Sequence, residues 1–347
     1  MASSRPNPDW QCDKTVVECN DFLLNNPLMA DVFFLVGDEQ RRIPAHKYVL
    51  ASRSSVFYAM LLHGGLAADD EKDIKVPDVT PAGFLNTLEF LYTEKTSLQE
   101  DTVLDTIYAG KKYVVPALVR HCNEYLKTVL KPDIACLLLL EEGRLIDDEE
   151  VIKICWDVID QRTEEVFQSK SFLEISPNLL LSILERETLS CREVVLFRAA
   201  LAWANAECVR KGELALPQDL RKVLGPALFA VRFPTMTQDE FAKHVASSGV
   251  LDVVEVRDIF IKSSVEKKPL LMFPVKPRMR QTPDLSLSHA LLAKEITLET
   301  FSAMANSSLQ KRRGEPQKKQ PGAFINKIFQ IVQQGKTEGM GERQDPR

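Results

Sequence analysis

The chain has 347 residues, 45% hydrophobic and 27% charged, which suits a soluble globular protein of two domains plus a tail. No apolar run approaches the roughly 18–20 residues of a membrane-spanning helix, and the start, MASSRPNPDWQCDK, has no basic region leading into an apolar core, so neither a span nor a secretory signal is expected. The net charge of −5 is uneven: sixteen Lys and Arg against eight Asp and Glu from Lys262 onward put that tail at +8 and the preceding residues at −13. An acidic body of this kind argues against nucleic-acid binding through its surface.

Residues 1–14 are polar, carry two prolines and are expected to be disordered. Thr15 and Glu18 have capping-box spacing. The helix that follows, to about Asn25, carries Val16, Cys19, Phe22, Leu23 and Leu24. That is more apolar surface than one narrow stripe, on a helix too short to be stable alone, so something must cover it. Val32–Val36 is an unbroken apolar run, predicted as a strand buried on both faces. GDEQ turns the chain and Arg41-Arg42-Ile43 returns as a hairpin partner, which Pro44 is expected to end. Tyr48, Val49, Ala51 and Ser52 begin a helix, and Val56, Phe57, Met60 and Leu61 repeat at helical spacing in a second.

After the loop Gly64–Lys72, Ile74–Val79 reads as a short strand. Thr80 is a candidate N-cap with Pro81 at the first helical position. Phe84, Leu85, Leu88, Leu91 and Tyr92 form that helix's stripe. Ser97 and Glu100 have the spacing of a further cap. Val103, Leu104, Ile107, Tyr108 and Val114 line the next helix, and Leu118, Cys122, Tyr125, Leu126 and Val129 one more.

Asp31-Val32, Pro44-Ala45-His46-Lys47, Val49-Leu50-Ala51 and Ser52-Arg53-Ser54-Ser55-Val56-Phe57 resemble, in order and register, the signature of the BTB (POZ) domain. IKVPDV, FLNTLEFLYTEK and LDTIYAGKKYVVPALVRHCNEYL extend the likeness over residues 15–130. The resemblance implies an α+β fold, a short sheet flanked by helices. It also implies a homodimer, or a heterodimer with a close relative, across the face of Val16, Cys19, Phe22 and Leu23. Asp31 with Lys47 resembles the charged pair lining the dimer groove in some members; as residues alone they are equally an internal ion pair of the fold.

From Lys131 the pattern is all-helical. Pro132 precedes the apolar run Ile134–Leu140, and Val151, Ile154, Cys155, Val158 and Ile159 form the next face. Ser176-Pro177 pairs an N-cap with a first-turn proline. Ser190 and Glu193 have capping-box spacing before Val194, Phe197, Leu201 and Ala204. Short polar breaks separate the helices, as in bundles. CLLLLEEGRLIDDEEVIKICWDVID, LLLSILERETLSCREVVLFRAALAWANAEC and RKVLGPALFAVRFPTMTQDEF resemble an all-α BACK domain over residues 131–262. The likeness is to BTB–BACK proteins that continue into a β-rich PHR domain. VRDIFIKSSVEKKPLLMFPVKPR looks like the approach to that domain. Beyond Arg280 no series of alternating strands follows, so residues 263–347 read as a PHR-entry segment and a largely disordered basic tail.

No catalytic set emerges. His46, His63, His121, His244 and His289 are scattered, and His46, at a helix start, reads as structural. Gly64-Gly65 lacks the rest of a phosphate loop, and no zinc-finger spacing occurs. None of the seven cysteines forms C-x-x-C, so reduced, buried thiols of a cytoplasmic or nuclear protein are expected. Lys311-Arg312-Arg313 with Lys318-Lys319 is either a nuclear-import signal or a solvated run. No enzyme activity, cofactor, metal or membrane contact is expected.

The BTB–BACK resemblance implies a substrate adaptor for cullin-3 ubiquitin ligases. The cullin would be met by a hydrophobic-x-Glu pattern on a BTB loop. Here Leu66-Ala67-Ala68 stands there, with Asp69 one position late. Leu137 and Leu138, in the first BACK helices, would extend the contact, or are simply bundle core. Implied partners are cullin-3, a second copy or a related BTB protein, and an unidentified protein substrate, with neuronal or developmental turnover as an analogy. The alternative is a scaffold or transcription cofactor that acts by oligomerisation alone.

Overall fold

A computed structural model describes residues 10–63, 73–140, 148–264 and 271–279. The chain divides between Val129 and Leu130 into two compact units.

The first unit holds three strands, β1 (Val32–Val36), β2 (Arg41–Ala45) and β3 (Ile74–Val76), in the order β2-β1-β3. β2 is antiparallel and β3 parallel to β1. Val32, Phe34 and Val36 are buried while Phe33 and Leu35 are half-buried, so β1 seals one face rather than both. The reason lies on β2: the Arg42 guanidinium sits 3.8 Å over the Phe33 ring and bonds Asp73 at 2.8 Å, shielding the outer face with a charged residue. Pro44 does not end β2. It pairs opposite Phe33 and the strand runs on to Ala45. On an edge strand the missing N–H is tolerated.

Helices α1 (Val16–Leu23), α2 (Lys47–Arg53), α3 (Ser55–Tyr58, continuing as a π turn to His63), α4 (Pro81–Thr93), α5 (Val103–Lys112) and α6 (Pro116–Val129) complete the unit. Its core is aromatic. Phe57 stacks on Tyr113 with centroids 4.2 Å apart, and Phe34 meets Phe84 at 5.1 Å. Thr80 caps α4 through Gly83 N–H, as its spacing predicts. The α4–α5 seam is close: a Cβ on Gly83 would lie 2.7 Å from the Asp105 carbonyl oxygen, and Asn86 donates to the hydroxyls of Thr102 and Thr106. The Ser97 cap does not form. Glu89 accepts the Ser97 amide and the Thr96 hydroxyl, and α5 begins after Thr102. Val114 lies past the end of α5, exposed, with φ +50°.

The second unit is helical. It comprises α7 (Pro132–Leu140), α8 (Glu149–Gln161), α9 (Thr163–Phe167), α10 (Pro177–Glu185), α11 (Glu193–Lys211), α12 (Pro217–Leu224), α13 (Gln238–Glu240) and α14 (Val253–Ser264). Asp148 caps α8, and Val151, Ile154, Cys155, Val158 and Ile159 are all buried. Ser176 caps α10. Trp203, fully buried in α11, donates its indole N–H to the Ile175 carbonyl at 3.0 Å. The Ser190 capping box is absent. Arg192 takes the N-cap position without a side-chain bond, because Glu193 is buried and committed to Arg232 and Arg278.

Candidate interaction surfaces

The Thr15 hydroxyl accepts the Glu18 amide, and the Glu18 carboxylate accepts from Thr15 N–H at 2.7 Å, so both ends of the capping box are made. These bonds hold the Glu18 carboxyl below the usual range. The helix they start has no buried residue: Val16 is 77% exposed, Val17 is exposed, and Cys19, Phe22 and Leu23 are half-buried. Phe22 is partly covered by Trp10, whose ring stacks on it at 4.5 Å.

One residue, Tyr92, ties α1 to its neighbours through its main chain and its side chain. The Tyr92 carbonyl accepts from Asn20, and its hydroxyl accepts the His46 amide at 2.9 Å and lies 2.8 Å from His46 Nδ1. Burial pushes that phenol well above its ordinary range, so the proton stays on. His46 Nε2 donates to the Leu28 carbonyl at 2.9 Å, which makes the histidine a structural bridge. The Asp31 carboxylate accepts the Lys47 main-chain amide at 2.7 Å. It thereby starts α2, whose N-cap residue His46 makes no side-chain cap. α1, the segment 28–31 and the start of α2 are held together by these bonds, and all carry exposed apolar side chains: Val16, Met29 (70%) and Tyr48 (82%).

A second group of exposed apolar side chains comes just before residues 64–72 in the sequence. Tyr58 and Leu62, 46% and 51% exposed, stand at i and i+4, opposite the buried Phe57–Leu61 side. Val114, exposed as well, follows Tyr113, whose carbonyl accepts the Ser54 hydroxyl at the start of α3. A β-branched residue at positive φ is strained, and such strain clusters at functional positions. Sequence reading passed over Tyr58 and Leu62 and placed Val114 in the lining of α5, where it does not lie. The signal was there: Tyr58 and Leu62 are large and apolar on the face that a stripe of Val56, Phe57, Met60 and Leu61 leaves to solvent.

Leu66 and Asp69 lie outside the described residues, as do the readings for residues 1–9 and for the tail beyond Met279. Leu138 is buried and belongs to the core of the second unit, so of the pair Leu137, half-buried, offers surface. Among the described residues no group of three His, Cys, Asp or Glu side chains could hold a metal, and no helix is long and apolar enough to cross a membrane.

The fold and these surfaces agree with two family matches: a BTB/POZ domain over residues 19–130 and a BACK domain (BTB And C-terminal Kelch) over residues 136–246. The chain is thus a BTB–BACK protein, built from two non-catalytic protein-interaction modules. It is similar to BTB/POZ domain-containing protein 6 of Mus musculus, 46% identical over 280 residues, which is 80% of this chain and 51% of that protein. It is likewise similar to BTB/POZ domain-containing protein 3 of Homo sapiens, 46% identical over 282 residues (80% and 53%), and to BTB/POZ domain-containing protein 6-B of Danio rerio, 47% identical over 277 residues (79% and 57%). The chain spans about half the length of these relatives.

Proposed function

We propose that the chain is a dimeric, non-catalytic adaptor that brings a protein substrate to a cullin-3 ubiquitin ligase. BTB domains mediate oligomerisation and often bind cullin-3, which supports both halves of the reading. The observation that carries it is α1: a helix of a BTB unit with no buried residue, presenting Val16 and Val17 to solvent. Covering such a face is what a second copy would do. The cullin would be met at the exposed Tyr58 and Leu62, and at Leu66 and Asp69, which follow them in the chain. Leu137 would extend the contact from the BACK unit.

Two measurements test this. Sedimentation at micromolar concentration should give a dimer. A pull-down with the cullin-3 N-terminal region should show micromolar or tighter binding, on the order of −8 kcal/mol, that Leu62→Asp and Leu66→Asp each abolish. A strictly monomeric chain that stays folded would refute the dimer. Absence of cullin binding by the unaltered chain would leave a scaffold that acts by oligomerisation alone.

A further inference from the structure

Residues 271–279, LMFPVKPRM, lie beyond the matched BACK region and form neither helix nor strand. Pro274 and Pro277 lack amide hydrogens and fix φ, which bars a regular helix or strand ladder, and the backbone bends at Met272, Phe273 and Lys276. Its burial is not that of a core segment. Phe273 and Arg278 are buried, while Met272, Val275 and Met279 between and beyond them are exposed. Two anchors, five positions apart, carry the contact.

Each anchor enters a built socket. The Phe273 ring stacks on Phe229 at 5.6 Å and meets Phe233 edge-on at 5.0 Å. Arg278 donates Nε–H to Glu193 at 2.6 Å, one Nη to the Arg186 carbonyl, and the other to the Ala230 carbonyl at 3.1 Å. Acceptors on three sides of a planar fork suit arginine and not lysine. The Arg278 and Glu193 side chains are 1% and 6% exposed. The socket is braced from behind. The second Glu193 oxygen accepts the Arg232 amide at 3.1 Å, and the Arg232 guanidinium pairs with Glu187 and donates to the Lys276 carbonyl at 2.9 Å. Side-chain anchors in pockets with a backbone contact between them are a recurring way for proteins to hold short peptides.

We infer that the second unit carries a peptide-binding site for a short, irregular, proline-containing segment with an aromatic and an arginine anchor five positions apart, and that residues 271–279 occupy it in cis. The same chemistry from a second copy or a partner protein would compete for it.

The test uses the full chain carrying Phe273→Ala with Arg278→Ala, and a fluorescein-labelled peptide of residues 271–279 as probe. Fluorescence anisotropy should show the peptide binding the double variant at least ten-fold more tightly than the unaltered chain, whose site is filled. The same peptide with Arg278→Glu should bind at least ten-fold more weakly. Equal binding to both proteins, or indifference to the peptide's arginine, overturns the inference. So does loss of helical circular dichroism in the double variant, which would make the segment core rather than ligand.

Discussion

Two short peripheral segments resolve the same difficulty differently. α1 in the first unit and residues 271–279 in the second are each too small to hold a place by their own backbone bonds. α1 is well capped, yet buries none of its residues and keeps Val16 in water. The segment 271–279 has no regular backbone, yet sinks Phe273 and Arg278 completely enough to be fixed. Local bonds therefore decide whether a segment is helical. Anchor side chains decide whether it has found its partner. By that measure α1 is an incomplete interface and residues 271–279 a completed one.

The comparison can be broken most sharply at α1. Val16→Asp with Phe22→Asp should weaken self-association by about 4 kcal/mol, roughly a thousand-fold, with helical content retained; sedimentation across a dilution series measures it. Next in size is the clasp. Glu193→Ala leaves the buried Arg278 guanidinium and the buried Arg232 amide without their carboxylate and should lower the second unit's stability by about 3 kcal/mol in urea titration. That is the lower end for a broken buried pair, because the segment can swing out and hydrate Arg278. Tyr92→Phe removes the acceptor of the buried His46 amide and should cost about 1–3 kcal/mol in the first unit.

Smaller effects sharpen the contrast. A hydrogen bond from Arg232 holds the Glu187 carboxyl below its usual range. A group lowered by folding stabilises fully above its ordinary pKa, about 4.3, and that contribution is lost as pH falls through the lowered value. Stability of the second unit should therefore decline between about pH 5 and 3, and Glu187→Gln should remove less than about 1 kcal/mol of that slope, since the pair is partly solvated. Last, a thiol reagent at neutral pH should modify Cys12 and Cys19 on and before α1 and spare the five buried cysteines. Burial pushes the Cys122, Cys136 and Cys155 thiols up to about 12, far from the thiolate that reacts.

What could be read in the sequence follows the same division. The Thr15, Thr80 and Ser176 caps were legible because donor and acceptor lie three residues apart. The Ser97 and Ser190 caps have the same spacing and fail, because a distant group intervenes: Glu89 takes the Ser97 amide, and Arg278, 85 positions on, takes Glu193. Strand β1 was legible as a strand but not its half-open outer face, which depends on Arg42 from the next strand lying over Phe33. The exposed helix α1 was visible as surplus apolar residues. Tyr58 and Leu62 were not legible as surface because helical periodicity marks the apolar stripe of Phe57 and Leu61 and leaves a second apolar pair beside it unassigned, and the Phe273–Arg278 segment has no local periodicity that could announce it.

The seam at Gly83 sets a strict tolerance on the first unit. Two backbones meet there with no room for a methyl group, since its carbon would stand 2.7 Å from the Asp105 carbonyl oxygen. Thr80 donates to the Asp105 carboxylate along the same line, and Asn86 bridges to Thr102 and Thr106. Adding that single carbon would wedge two helices apart and unfasten three side-chain bonds together. The smallest possible enlargement thus reaches further through this unit than the loss of many larger groups at its rim.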